Sequence, residues 1–249
     1  MLNSRLSSPW TFSQGIILLF CFMLLYTAIS MGHMLWVKHS IGYQAYFAGS
    51  TTMPAKLLVF NQALKAGLIF TVIAVALKHK GLCWQAVGFK PFRTKWLYLA
   101  VFLAIAGFLV RVVLAKWMVF VMPQWHAFTA APLQLSETSI PALSLFLGLT
   151  VLVTPVAEEV FFRGFLFQWF ASRRPLWLAA IISSVIFGAS HIVPAQAISA
   201  ALMSLIIIYL YVASGSIWPA IICHITNNLF SISANLFPQT AFFQSLTGG

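Results

Sequence analysis

Apolar residues run along this 249-residue chain in long blocks, not in strand-like alternation or on one helical stripe. A helix that crosses a bilayer needs about 20 predominantly apolar residues. Seven blocks qualify or come close: Gly15–Trp36, Leu57–Leu77, Trp96–Met122, Pro141–Phe170, Leu176–His191, Ala195–Ala213 and Ile217–Phe237. The fourth is too long for one straight pass, so tilting, breaking and projecting beyond the lipid are all open to it, and a break at Pro155 or Gly164 would create an eighth crossing. The fifth is short, and its neighbours must cover its ends. The pattern predicts an all-α polytopic membrane helix bundle of about seven to eight transmembrane helices. It reads as one integral membrane domain over 1–249, with N-terminal helices in 1–140 and a second, tighter bundle in 141–237. No internal repeat, heptad run or low-complexity tract is visible. The first block lacks a small-residue cleavage site and is read as a retained helix.

Composition removes the soluble alternatives. Hydrophobic residues make up 61% of the chain and charged residues only 7%, against about 25% charged in ordinary soluble domains. With a mean hydropathy of +0.94, a soluble enzyme, a nucleic-acid binder and a disordered chain are all excluded. The net charge of +11 comes from 14 Lys and Arg against three acids, Glu137, Glu158 and Glu159. In a soluble protein that balance would suggest nucleic acid. Here the basic residues flank apolar blocks, so no nucleic acid partner is expected and the lipid bilayer is the partner implied. Cys21, Cys83 and Cys223 show no CxxC spacing and are expected to be small apolar packers.

The same basic residues set an orientation. Lys78, Lys80, Lys90, Arg93 and Lys95 lie between the second and third blocks, and Arg173 and Arg174 between the fourth and fifth. With seven spans these loops share a side with Arg5, while Lys38 and Lys56 fall on the other. The positive-inside rule then places the N-terminus in the cytoplasm, in what is expected to be a bacterial inner membrane. The connections Ile192-Val193-Pro194 and Ser214-Gly215-Ser216 are short enough to demand antiparallel neighbours.

Chemistry enters with residues that lipid should exclude. The fourth block contains Glu158-Glu159-Val160-Phe161-Phe162-Arg163, and each ionised side chain near a helix centre costs roughly 2.5–3.5 kcal/mol on insertion scales. Glu159 and Arg163 are four apart, the spacing of an ion pair on one helix face. Glu158 points about 100° away and is free for another partner. His191 ends the fifth block in Phe187-Gly188-Ala189-Ser190-His191, and the seventh carries His224 and Asn228 four apart on one face. Asn227 could replace Asn228 only on a rotated helix. Lys65 and Arg111 also fall within spans, where pairing to backbone carbonyls or contact with substrate or headgroups is open to them. Glu137 reads as a loop residue before a helix start at Pro141. His33, His39, His79 and His126 lie near span ends without an evident partner.

Counting rise per residue from the Arg173-Arg174-Pro175 turn puts Glu158 and His191 both about 22–24 Å along their helices. From Ser216, His224 lies about 12 Å and Asn228 about 18 Å deep. Antiparallel packing would gather these four in one buried band. A carboxylate and an imidazole can hold and deprotonate a water, and imidazole and amide N–H groups can donate to an oxyanion. That is an acyl hydrolase without a Ser or Cys nucleophile. One Glu and two His also suit zinc, so Glu158, His191 and His224 are the candidate ligands if a metal is used, although HExxH is absent.

These residues resemble the three signature motifs of the CPBP family, the CAAX-protease and bacteriocin-processing enzymes, also called Abi or Rce1-type intramembrane proteases. The matching elements are Glu158-Glu159-x-x-x-Arg163, Phe187-x-x-x-His191 and His224-x-x-x-Asn228, in that order and about thirty residues apart. The resemblance covers about 141–237. It implies an intramembrane endopeptidase in which Glu158 activates water with His191 while His224 and Asn228 form the oxyanion site. Glu159 and Arg163 would be supporting residues, with Phe187 packing around the site. The expected substrate is a membrane-associated or lipidated peptide or protein. Of the mechanisms that the resemblance admits, a metal-free glutamate one, which needs no cofactor, is the preferred reading, and a zinc-dependent one is the alternative.

Two other readings compete. A proton- or ion-coupled transporter could relay charge through Glu158, Arg163 and His191, but no repeated halves are visible. A non-catalytic immunity or scaffold protein could use the same fold, although the intact motifs favour an enzyme.

Overall fold

The computed structural model describes residues 6–40, 42, 55–121, 140–191 and 194–236. Among the described residues seven helices carry the fold: α1 (Phe12–Ser40), α2 (Ala55–His79), α3 (Lys95–Val121), α4 (Ile140–Ala171), α5 (Leu176–Ala189), α6 (Pro194–Ser214) and α7 (Trp218–Leu236). There is no strand among the described residues. Five of the helices, α1 to α4 and α6, are long and apolar enough to cross a bilayer. At 14 residues α5 spans only about 21 Å, less than a hydrocarbon core. The 19 residues of α7 include Thr226, Asn227 and Asn228, and these polar positions keep it out of the apolar group. The bundle is that of an integral membrane protein, and its outer surface is apolar, with Phe20, Phe60, Phe102 and Phe120 all exposed.

The fourth apolar block forms one helix, not two. Its backbone stays right-handed helical through both sites where a break was open to it, and it absorbs them as two π-helical segments, Leu149–Val153 and Phe162–Phe167. The first lies immediately before Pro155, whose ring would clash with the carbonyl four residues back in regular α geometry. The second contains Gly164. A Cβ there would sit 2.8 Å from both the side chain and the carbonyl of Val87, so only glycine lets the 84–88 turn lie against the helix. The segment between them, Thr154–Phe161, carries the two glutamates. Single-turn π segments concentrate at functional sites because they rotate the following side chains off the regular helical stripe.

The helices packed on α4 are α2, α5 and α7, with α6 reaching across to Arg163 through Ser204. α5 and α6 approach closely because a Cβ on Gly188 would meet the Ala197 carbonyl at 2.6 Å and Ala201 Cβ at 2.8 Å. Small residues at such crossings let backbones meet where lipid offers no hydrophobic drive. At one end, residues 6–11 strap the bundle: Leu6 N–H donates to the Ala171 carbonyl, Arg173 to the Trp10 carbonyl and Trp169 Nε1 to the Thr11 carbonyl. Lys80 donates to the Pro9 carbonyl. The three cysteines do not share one role. Only Cys223 is buried in the core, while Cys21 and Cys83 are exposed, and all three are free thiols. Glu137, His126 and Arg5 lie outside the described residues.

Candidate functional site

The Glu159–Arg163 pair anchors the site. Both side chains are fully buried, and Arg163 Nη1 donates to Glu159 Oε1 at 2.9 Å. Arg163 Nη2 donates to Ser204 Oγ of α6 at 2.9 Å, and Ser184 Oγ of α5 joins the same hydroxyl at 2.9 Å. Its guanidinium lies over the Phe187 ring, 4.8 Å from the centroid. One arginine thus ties α4, α5 and α6 together through charge-assisted bonds in a medium without competing water.

His224 of α7 completes the arrangement. Its Nδ1 lies 2.7 Å from the same Glu159 Oε1, and its Nε2 faces Glu158 Oε2 at 3.6 Å. A carboxylate bound to Arg163 is an acceptor, so Nδ1 carries the proton, and in the neutral ring Nε2 presents a lone pair. Two acceptors, Nε2 and the Glu158 carboxylate, then face each other at a distance where a water can donate a hydrogen to each. Glu158 is 22% exposed and Glu159 is wholly enclosed, so adjacent carboxylates occupy opposite environments, as the 100° rotation between them requires.

The structure redistributes the partners expected from spacing. His224, not His191, stands against Glu158. His191 sits at the end of α5, where its Nδ1 donates to the Phe187 carbonyl at 3.0 Å and its ring meets Phe187 edge-on with centroids 5.2 Å apart. Phe187 also meets His224, at 5.8 Å. It therefore separates the two imidazoles and holds both rings. Asn228 does not bond to His224: its Nδ2 donates to the Thr150 carbonyl at 3.1 Å. The π segment at 149–153 frees that carbonyl, and the amide keeps a second N–H.

The spacing gave no sign of a further group beside Glu158. Lys65 of α2 rests over the Tyr26 ring of α1, with Nζ 4.4 Å from the centroid. Both residues lie within electrostatic range of Glu158. Lys65 thus rests on an aromatic face. Arg111 does the same over Phe108, at 5.1 Å. Their only sequence signal is an ionisable residue inside a span.

The candidate zinc set is not assembled as a ligand group. Among the described residues no three His, Cys, Asp or Glu side chains gather as metal donors. His191 Nδ1 is committed to a carbonyl, and His224 Nδ1 to Glu159.

Residues 140–230 match the Rce1-like family, described as type II CAAX prenyl endopeptidase Rce1-like. A protein of Bacillus subtilis (strain 168) named "Putative membrane peptidase YdiL" is 29% identical over 117 residues, 44% of this chain and 48% of that protein. The match thus spans about half the length of this curated relative. No solved structure matches the chain. Three motifs on one helical membrane bundle, together with this match, make residues 140–230 similar to the Rce1-like endopeptidases and to a membrane peptidase.

Proposed function

We propose that the protein is an intramembrane endopeptidase that hydrolyses a peptide bond of a membrane-associated peptide or protein with a water held between Glu158 and His224. The observation that carries this reading is the 3.6 Å approach of His224 Nε2 to Glu158 Oε2, with Nδ1 clamped on Glu159. Glu158 takes a proton from the water as its oxygen attacks the scissile carbonyl carbon. Asn228, through its second N–H, donates to the oxyanion that forms. The carbon–nitrogen bond then breaks and the leaving amine takes the proton from Glu158, so that water is consumed and two peptide ends are released. His191 flanks the site, and with Nδ1 donating to the Phe187 carbonyl its Nε2 is able to accept a proton in transit. Glu159 and Arg163 act through His224 and are positioning residues. No cofactor is needed in this scheme.

The experiment compares detergent-purified wild type with Glu158→Gln. Each is incubated with solubilised membrane proteins, and new amino termini are identified by mass spectrometry. Wild type should generate new termini, and Glu158→Gln should lose them by roughly 10²–10⁴-fold, the value of a positioned general base. Gln is nearly isosteric, so the thermal melt should stay unchanged. Full activity in Glu158→Gln ends the assignment and moves the reading to a non-catalytic protein on this fold.

A further inference from the structure

Hydrolysis inside a membrane requires water at a site walled by lipid-facing helices, and the structure carries a signature of its route. Six buried side-chain nitrogens and oxygens among the described residues have no hydrogen-bond partner. Two, Glu159 Oε2 and Arg163 Nε, belong to the ion pair, and a third, Trp10 Nε1, to the N-terminal strap. The remaining three are His33 Nδ1, Asn61 Oδ1 and Thr154 Oγ1. They come from α1, α2 and α4: α2 packs on both of the others, and Phe22 of α1 stacks on Phe161 of α4.

Their placement is not scattered. Thr154 precedes Glu158 by four residues and shares its helix face. Asn61 precedes Lys65 by four and shares its face in the same way. Gln62 and Thr150 join α2 to α4 by a side-chain bond of 2.7 Å, which fixes the two helices side by side at this level. Lys65 reaches from there to the Tyr26 ring at 4.4 Å. His33 lies within electrostatic range of Lys65, and Lys65 of Glu158. A buried polar atom without a protein partner is normally satisfied by ordered water, which asks for two to four polar neighbours. Lipid tails supply none.

We infer that α1, α2 and α4 enclose a hydrated lane, lined by Tyr26, His33, Asn61, Lys65 and Thr154, that delivers the hydrolytic water to Glu158. The inference rests on the proposed hydrolysis for its purpose but not for its existence. Water in the lane satisfies the three orphaned atoms and solvates the Lys65 ammonium that caps Tyr26. Glu158 is reached from this α1–α2 side, and the side facing α7 is left to His224 and the substrate.

Radiolytic hydroxyl-radical footprinting of the unmodified protein in lipid nanodiscs tests this without reference to activity. Radicals form only where water is present. Tyr26 should be oxidised at least tenfold faster than Met23, a more reactive side chain less than one turn away on α1 that is 48% exposed on the apolar surface. Cysteine labelling provides a second measurement in a background with Cys21, Cys83 and Cys223 changed to Ala. Asn61→Cys and Thr154→Cys should react with a charged methanethiosulfonate at least tenfold faster than Phe60→Cys and Leu64→Cys, whose parent side chains face outward. Tyr26 protected as well as Met23 overturns the lane, whatever the cysteine variants do. A lane that labels while Glu158→Gln stays active would retain the hydration and remove only the peptidase reading.

Discussion

His224 bridges the two adjacent glutamates: its Nδ1 lies 2.7 Å from Glu159 Oε1 and its Nε2 3.6 Å from Glu158 Oε2. One imidazole from α7 thereby joins a fully enclosed, arginine-paired carboxylate to a partly open one. The enclosed carboxylate accepts from Nδ1 and the open one faces Nε2, so neighbouring residues of the same type sit in different surroundings.

Glu159→Gln and Arg163→Met should both destabilise the fold, because each strands a buried charge. Removing one partner of such a pair costs about 3–5 kcal/mol. The double variant should melt above either single variant, since two neutral side chains leave no uncompensated charge. Thermal unfolding in detergent measures all three. Independent, additive losses would show that the pair does not act as a unit.

The two histidines should separate kinetically. His224→Gln removes the group that faces Glu158 and should lower kcat by about 10²-fold or more. His191→Gln disturbs a ring held by Phe187 and should have the smaller effect on kcat. Equal and complete losses would restore His191 to the water-activating position. Single-turnover cleavage of one mapped substrate peptide gives the comparison.

Gly188 should tolerate no side chain. Gly188→Val places atoms into the Ala197 carbonyl and Ala201 Cβ, 2.6 and 2.8 Å from the first carbon alone. Overpacking of this kind costs typically 1–3 kcal/mol, and here it would also separate α5 from α6. The melt should fall, and cleavage with it, because Ser184 and Ser204 hold Arg163 across the same crossing. An unchanged melt would mean that the crossing is looser than its contacts indicate.

Metal dependence has a direct check. Purified protein treated with a strong chelator should keep its full rate if Glu158 and His224 activate the water alone. Activity lost on chelation and restored by zinc would replace that scheme with metal-bound water.

Orientation is the last expectation. A reporter enzyme fused after Gly249 should read non-cytoplasmic, and one fused before Met1 cytoplasmic, if seven helices cross and the basic loops face inward. Reporters on the same side would show that one helix, most simply the short α5, does not cross.

The sequence by itself determined the medium and singled out the candidate site residues. Long apolar blocks and a 7% charged content leave lipid as the only solvent, and lipid permits little but helices that satisfy their own backbone. Against that background Glu158, Glu159, Arg163, His191, His224 and Asn228 stand out, because each is costly there. Spacing alone also predicted the Glu159–Arg163 pair, since four residues on a helix is a local distance. The partners across helices were another matter. Counting rise per residue gives depth but not rotation, so it put His191 and His224 at usable depths without telling which faces Glu158. That was decided by two π segments that rotate the middle of α4, by Gly164 and Gly188 admitting close neighbours, and by Phe187 standing between the two imidazoles. Lys65 and Tyr26 are more than ninety residues from Glu158 in sequence, and only the packing of α1 and α2 on α4 brings them beside it.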